Sequence, residues 1–225
     1  MGTLYLVRHG QASFGAADYD QLSPLGTRQC QRLGEHLRGR GLQFEATLSG
    51  TLKRHVQSLD ALGAGFGGLP APTRLPGLNE FDGEAVVRAL YPEPPPPPDP
   101  SDALDSFRHH FRLLREGLEA WMAGRTQPAG MTTHAEFVAG VAAALEHVRT
   151  QHRGDVLLVS SGGPIATAVG LVLGLQGTPV IDLNLRMRNS SVTEFQVMPK
   201  RHVLVSFNGV PHLEQGVGAD WITHA

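Results

Sequence analysis

Three things are scarce in this chain of 225 residues: cysteine, net charge and long hydrophobic runs. The lone Cys30 cannot form an internal disulfide and fits a reducing cytoplasm, where we expect the protein to reside. The formal net charge is −2, so no basic field attracts nucleic acid or an anionic membrane, and we expect neither as a partner. The first residues lack a basic region followed by an apolar one, and no run reaches bilayer length. We therefore expect no secretory signal and no membrane span.

What is present is an alternation of apolar strands and amphipathic helices. The predicted strands are 4–7, 46–49, 155–160, 190–198 and 202–207. The predicted helices are one that starts at Pro24 behind an N-capping Ser23 and ends near Gly39 or Gly41, then 51–62, 101–123, 133–151 and one that starts at Pro164. Strands that alternate with helices indicate an α/β domain with a mostly parallel sheet. The last two strands follow each other directly, which favours an antiparallel pair.

The remaining segments predict connections. Residues 63–77 are rich in glycine and proline, so we expect an irregular, flexible connector there rather than a dinucleotide site. Residues 92–100 hold five consecutive prolines, which favour a stiff surface loop. We expect residues 1–225 to form one domain, in which about 78–130 cap the sheet. Cys30 lies on the apolar stripe of its helix and is expected to be a buried structural thiol.

The most informative segment ends the first strand with Arg8, His9 and Gly10. Arginine offers a forked positive charge that suits a phosphate or a carboxylate. Histidine offers a nucleophile or acid–base group that titrates near neutrality. Glycine lets a backbone approach a ligand closely. A cation, a nucleophile and space for an anion therefore fall on consecutive positions.

Two more polar clusters follow predicted strands, at 49–54 and 160–164. The carboxyl ends of parallel strands meet at one edge of a sheet, where α/β proteins place their ligands. The third cluster also opens a helix, whose N-terminus suits an anion. A phosphate is the ligand that these features predict. Gln11 and Ser13 follow the first cluster closely enough to contact a bound phosphate, although a plain loop role explains them equally well.

In this order the motifs resemble those of the histidine phosphatase superfamily, which includes the phosphoglycerate mutases. The resemblance is carried by residues 8–10, 22–29, 48–54 and 78–84. It implies a three-layer phosphoglycerate mutase-like fold and a reaction that needs no metal and no cofactor. It also implies that His9 is the phosphorylated nucleophile, that Arg8 and Arg54 bind the phosphoryl group, and that Glu80 is the proton donor.

One position departs from the family pattern. Where the superfamily normally has a second histidine before a Gly-Gly pair, this chain has Ser161 followed by Gly162. We expect Ser161 and Gly162 to contact phosphate. Because serine can donate a hydrogen bond but carries no positive charge, we also expect turnover to be reduced. We also expect Ser161→His to raise turnover. His55 is disfavoured as a substitute, because adjacent helical residues diverge by about 100°.

These inferences predict a phosphatase that hydrolyses a phosphomonoester, either a small phosphorylated metabolite or a phosphoprotein. The alternative is a weakly active or inactive protein that binds a phosphorylated ligand, and Ser161 is its support in the sequence. A phosphoglycerate mutase is less favoured, because residues 81–130 do not extend the mutase-like motif. The sequence leaves the oligomeric state open.

Overall fold

A six-stranded sheet forms the centre of the molecule in the computed structural model, which describes residues 2–13, 20–99, 101–214 and 216–224. The strands are β1 (Thr3–Arg8), β2 (Phe44–Ser49), β3 (Thr73–Arg74), β4 (Asp155–Ser160), β5 (Val192–Val197) and β6 (His202–Gly209). Their spatial order is β3-β2-β4-β1-β5-β6. The helices are α1 (Pro24–Gly39), α2 (Lys53–Phe66), α3 (Gly83–Leu90), α4 (Ala103–Met122), α5 (His134–Gln151), α6 (Gly162–Leu173) and α7 (Thr178–Leu185).

The sheet is mostly parallel, as the sequence predicts. β1 pairs in parallel with β4, which pairs in parallel with β2, and β2 in turn with β3. β5 runs antiparallel both to β1 and to β6, which confirms the prediction for the end of the chain. The chain thus places the carboxyl ends of β1, β2 and β4 along a single edge.

Helices cover both faces of the sheet. Alternate residues of β1 point to opposite faces, as a pleated strand requires. Leu4 and Leu6 belong to one buried cluster, which includes side chains of α5 and α6. Tyr5 and Val7 belong to the other, which includes side chains of α1 and α2. The three-layer α/β architecture is therefore confirmed.

Helix α2 is longer than the sequence predicts, because it continues through Gly63 to Phe66 instead of giving way to a connector. Close packing explains the glycines. A Cβ on Gly65 would lie 2.0 Å from the carbonyl oxygen of Gln31, and one on Gly34 would lie 2.1 Å from that of Leu62. These glycines let α1 and α2 approach backbone to backbone, which the composition alone does not show.

The segment predicted as a cap consists mainly of helices and loops. Asp82 caps α3, Asp102 caps α4, and Thr133 begins α5 with a reciprocal capping box. α3 and α4 join α7 through a third buried cluster that includes Trp121. Residues 92–99 lie mostly exposed, as predicted. Within the described ranges, no helix combines the length and the apolar character that crossing a bilayer requires.

Candidate active site

Three strand ends bring the predicted site residues together. Arg8 is level with Ser160 in the pairing of β1 with β4, and Ser49 is level with Val159 in the pairing of β2 with β4. The residues that follow β1, β2 and β4 therefore leave the sheet side by side, as predicted.

His9 is buried at this edge, with 4% of its surface exposed. Its Nδ1 lies 2.7 Å from the carbonyl oxygen of Gly10. A carbonyl only accepts, so Nδ1 carries the proton and Nε2 keeps its lone pair. Burial, and then the charges of Arg8 and Arg54, hold the pKa of His9 well below its ordinary value of 6.5. His9 is therefore a neutral imidazole whose Nε2 is unprotonated and can accept a bond.

The two arginines are held from different sides of the site. The Arg8 guanidinium donates to the backbone carbonyls of Met187 and, at 2.8 Å, of His224. Arg54 is buried, and its Nη1 lies 2.7 Å from Oδ1 of Asp20. Asp20 also accepts from the backbone N–H of Lys53 at 2.9 Å, so one carboxylate orients Arg54 and the start of α2 together. These contacts restrict the guanidinium groups before any ligand arrives.

Glu80 lies against the N-terminus of α6. Its Oε2 accepts from the N–H of Gly163 at 3.1 Å, and its Oε1 accepts from the N–H of Phe81 at 3.3 Å. Burial nevertheless raises the pKa of Glu80, and it outweighs the lowering by those bonds and by Arg54 and Arg8. A raised pKa favours the protonated carboxyl, which is the form that donates a proton.

Ser161 is completely buried, and its Oγ lies 2.6 Å from Nε2 of His55. The expectation that His55 points away from the site is wrong. The rings of His9 and His55 have centroids 5.9 Å apart. Arg54 and His55 both belong to the first turn of α2, where each Cα–Cβ bond leans toward the N-terminus. Neighbours can therefore diverge around the axis and still both reach forward into the site.

The predicted glycines Gly10 and Gly162 lie where a larger side chain would clash with neighbouring residues. The N–H of Gly10 donates to Oγ of Ser58 at 3.1 Å, and a Cβ on Gly10 would lie 2.3 Å from the carbonyl oxygen of Gly26. A Cβ on Gly162 would lie 2.4 Å from Oδ1 of Asn184. Gly10 thus lets the segment 8–10 pack closely against α1. Helix α6 begins at Gly162, two residues earlier than predicted.

Gln11 and Ser13 lead away from His9. The side chain of Gln11 accepts from the hydroxyl of Ser23, which caps α1, at 2.8 Å. The backbone N–H of Ser13 donates to the carbonyl of Gln21 at 2.8 Å. Gln11 is therefore engaged with the start of α1, and a contact of either residue with phosphate stays a prediction.

The segment directly before β5 also contacts the site, through hydrogen bonds to the backbone of His9. This contact was not predicted from the sequence. Ser190 donates its N–H to the carbonyl of His9 at 3.1 Å, and Asn189 Nδ2 reaches the same oxygen at 3.4 Å. The antiparallel pairing of β5 with β1 places Val192 level with Val7. A polar run directly before an antiparallel neighbour of β1 was the signal that could have found these residues.

Cys30 is buried, as predicted, and burial raises the pKa of its thiol to about 11. Among the residues that the structure describes, no group of three or more histidine, cysteine, aspartate or glutamate side chains is arranged to hold a metal ion.

A family model described as the histidine phosphatase superfamily (branch 1) matches residues 4–92 and 106–209. A comparison with curated protein sequences returns no match.

Solved structures with the same fold cover nearly the whole chain. A phosphoserine phosphatase mutant from Entamoeba histolytica, in complex with phosphoserine, is 19% identical with a TM-score of 0.62, and the match covers 95% of this chain and 100% of that one. A mycobacterial glucosyl-3-phosphoglycerate phosphatase is 23% identical with a TM-score of 0.61, over 92% and 99%. A phosphoglycerate mutase from Bacillus anthracis is 18% identical with a TM-score of 0.63, over 94% of both chains. At such identities these structures establish the shared fold and nothing finer.

Proposed function

Because the chain belongs to the histidine phosphatase superfamily, we propose that it hydrolyses a phosphomonoester through a phosphohistidine at His9. The observation that carries the proposal is that the pKa values of two titratable groups of the site, His9 and Glu80, are shifted in opposite directions. Burial and two arginines favour the neutral form of His9, and burial favours the protonated form of Glu80. Titratable groups whose pKa values are shifted in opposite directions mark the division of labour between a nucleophile and an acid.

The reaction proceeds in two displacements. Nε2 of His9 attacks phosphorus, the bond to the leaving oxygen breaks, and the carboxyl of Glu80 gives that oxygen its proton. The Glu80 carboxylate then takes a proton from water, which attacks phosphorus and releases inorganic phosphate and His9. Arg8 and Arg54 stabilise the negative charge on the phosphoryl oxygens in both steps. The proposed steps use no metal ion and no cofactor.

The proposed substrate is a phosphorylated small metabolite or a phosphoprotein. The neighbours in complex with phosphoserine or named for glucosyl-3-phosphoglycerate are consistent with the first. We propose slower turnover than in relatives with a second histidine, because Ser161 offers a hydrogen-bond donor without a positive charge. A panel of phosphorylated metabolites and phosphopeptides, compared by kcat/KM, separates the two substrate classes.

The test is hydrolysis of p-nitrophenyl phosphate by the wild type, His9→Ala and the control His110→Ala, which changes an exposed histidine of α4. We expect His9→Ala to abolish turnover and His110→Ala to retain it. Acid-labile phosphate should be trapped on the wild type but not on His9→Ala. Equal rates for the wild type and His9→Ala would overturn the proposal. Phosphate binding without turnover would instead identify a phospho-ligand-binding protein.

A further inference from the structure

His55 has no part in the reaction as proposed, yet it is fully buried against the site. One ring nitrogen, Nε2, contacts the hydroxyl of Ser161 at 2.6 Å. The other, Nδ1, is buried and finds no hydrogen-bond partner within the described residues. Gly50 covers it so closely that a Cβ there would lie 2.2 Å from Nδ1. The two nitrogens therefore have very different surroundings.

This difference selects the tautomer of His55. A proton on Nδ1 would create a buried N–H donor without an acceptor, which native structures rarely tolerate. A bare lone pair at Nδ1 is the smaller cost. The proton of the neutral ring therefore lies on Nε2, and Nε2 donates to Oγ of Ser161. Since that oxygen now accepts, its own hydrogen is directed to another acceptor.

We propose that His55 is a positioning residue that acts through Ser161. It donates to the Ser161 hydroxyl and so turns the hydroxyl hydrogen toward a phosphoryl oxygen held beside His9. The proposal rests on the proposed function, because it assigns one contact of the same phosphate pocket. The wall that lacks the expected histidine would thus still contain an imidazole, supplied by α2 and working through a serine.

The pair replaces a hydrogen bond but not a charge. Burial, with Arg54 and Arg74 nearby, lowers the pKa of His55 to about 3, so the ring stays neutral. A neutral donor chain polarises the serine hydroxyl and fixes its direction. It leaves the positive charge of the pocket to the arginines. Reduced turnover and an ordered hydroxyl are therefore compatible.

A double-mutant cycle tests the proposal by kcat/KM on p-nitrophenyl phosphate. We expect Ser161→Ala to lose about 10²-fold, as for other preorganised donors, and His55→Leu to lose about tenfold. His55→Gln, whose amide N–H also donates, should retain most of the activity. Above all, His55→Leu should cost nothing further in the Ser161→Ala background. Losses that multiply in the double variant, or equal losses for Leu and Gln, would overturn the proposal.

A second measurement does not depend on activity. Proton–nitrogen correlation spectra of ¹⁵N-histidine-labelled protein, with the His55 signals assigned by their absence from His55→Gln, identify which nitrogen carries the proton. We expect Nε2–H, and a proton on Nδ1 would overturn the proposal even if the leucine variant unfolds. The outcomes also separate the two proposals. Wild-type rates in His9→Ala contradict the phosphatase, whereas an inactive His9→Ala together with a fully active His55→Leu contradicts only the role of His55.

Discussion

The backbone of Gly163 touches the side chain of Glu80 so closely that only hydrogen fits between them. The N–H of Gly163 donates to Oε2, and a Cβ at the same residue would lie 2.2 Å from Oε1. It would also lie 2.5 Å from the ring of Phe81. Gly163 therefore fixes where the proposed proton donor stands, and this makes the residue a means of displacing Glu80 without altering its chemistry.

Gly163→Ala should impair proton donation more than phosphoryl binding. Glu80 would be pushed from its place, and leaving groups that need a proton would suffer most. We expect kcat to fall at least tenfold for an alkyl phosphate and much less for p-nitrophenyl phosphate, whose leaving group is stable as an anion. Gly39→Ala is the matched control, since a Cβ there meets nothing within 4 Å. Equal losses on both substrates would contradict the role of Glu80.

The pH dependence of the reaction follows from two pKa shifts of opposite sign. In the proposed reaction His9 attacks when neutral, so we expect activity to rise as pH increases through its lowered pKa. In the same reaction Glu80 donates its proton when protonated, so we expect activity on alkyl phosphates to fall as pH increases through its raised pKa. We expect the falling limb of kcat to disappear in Glu80→Gln, at a much lower rate. A limb that survives unchanged in this variant must belong to another group. Profiles on alkyl and aryl phosphates under identical buffers provide the comparison.

Exchanging the residues of the serine–histidine pair tests how the pocket is filled. From sequence, Ser161→His is expected to raise turnover, but in the structure Nε2 of His55 already lies 2.6 Å from Oγ of Ser161. We now expect Ser161→His alone to lower kcat/KM, because a second imidazole does not fit beside the first. Adding His55→Ala makes room, and the double variant should exceed both single variants. A faster Ser161→His single variant would show that the space is not limiting.

Two glycines of α2 offer a matched pair for stability. Gly65→Ala places a methyl 2.0 Å from the Gln31 carbonyl, whereas in Gly63→Ala the nearest atom is 3.6 Å away, on Leu69. We expect Gly65→Ala to lower the free energy of unfolding by about 2 kcal/mol and Gly63→Ala to raise it by about 0.5 kcal/mol. Urea titrations monitored by circular dichroism measure both. Similar effects would mean that α1 and α2 are not in close contact there.

Much of the fold could be predicted from local patterns. Ser23 and Pro24 mark the start of α1, and the apolar run 155–160 is a buried strand at the predicted position. The end of α2 could not be predicted. Its glycines normally break a helix, and what keeps Gly65 helical is the close crossing of α1, a contact between segments remote in sequence.

The site divides in the same way. His9 and Arg54 lie in motifs, so the sequence indicated where they would meet. The contact of His55 with Ser161 spans 106 residues, and it depends on how far the first turn of α2 reaches toward the start of α6. Helical angles alone predicted divergence and missed that reach. Asn189 was missed for a related reason, because its position depends on the pairing of β5 with β1.

Cys30, the only cysteine of the chain, lies wholly out of solvent on α1, in contact with Gly10 and Ser58. A thiol so placed reacts with a labelling reagent only when α1 separates from the strands and helix that cover it. The rate of its modification therefore reports how often α1 separates from Gly10 and Ser58, the residues that Cys30 contacts next to His9, without any engineered probe. Slower labelling in the presence of inorganic phosphate would measure how strongly a ligand bound in the pocket stabilises the packing of α1 around Cys30.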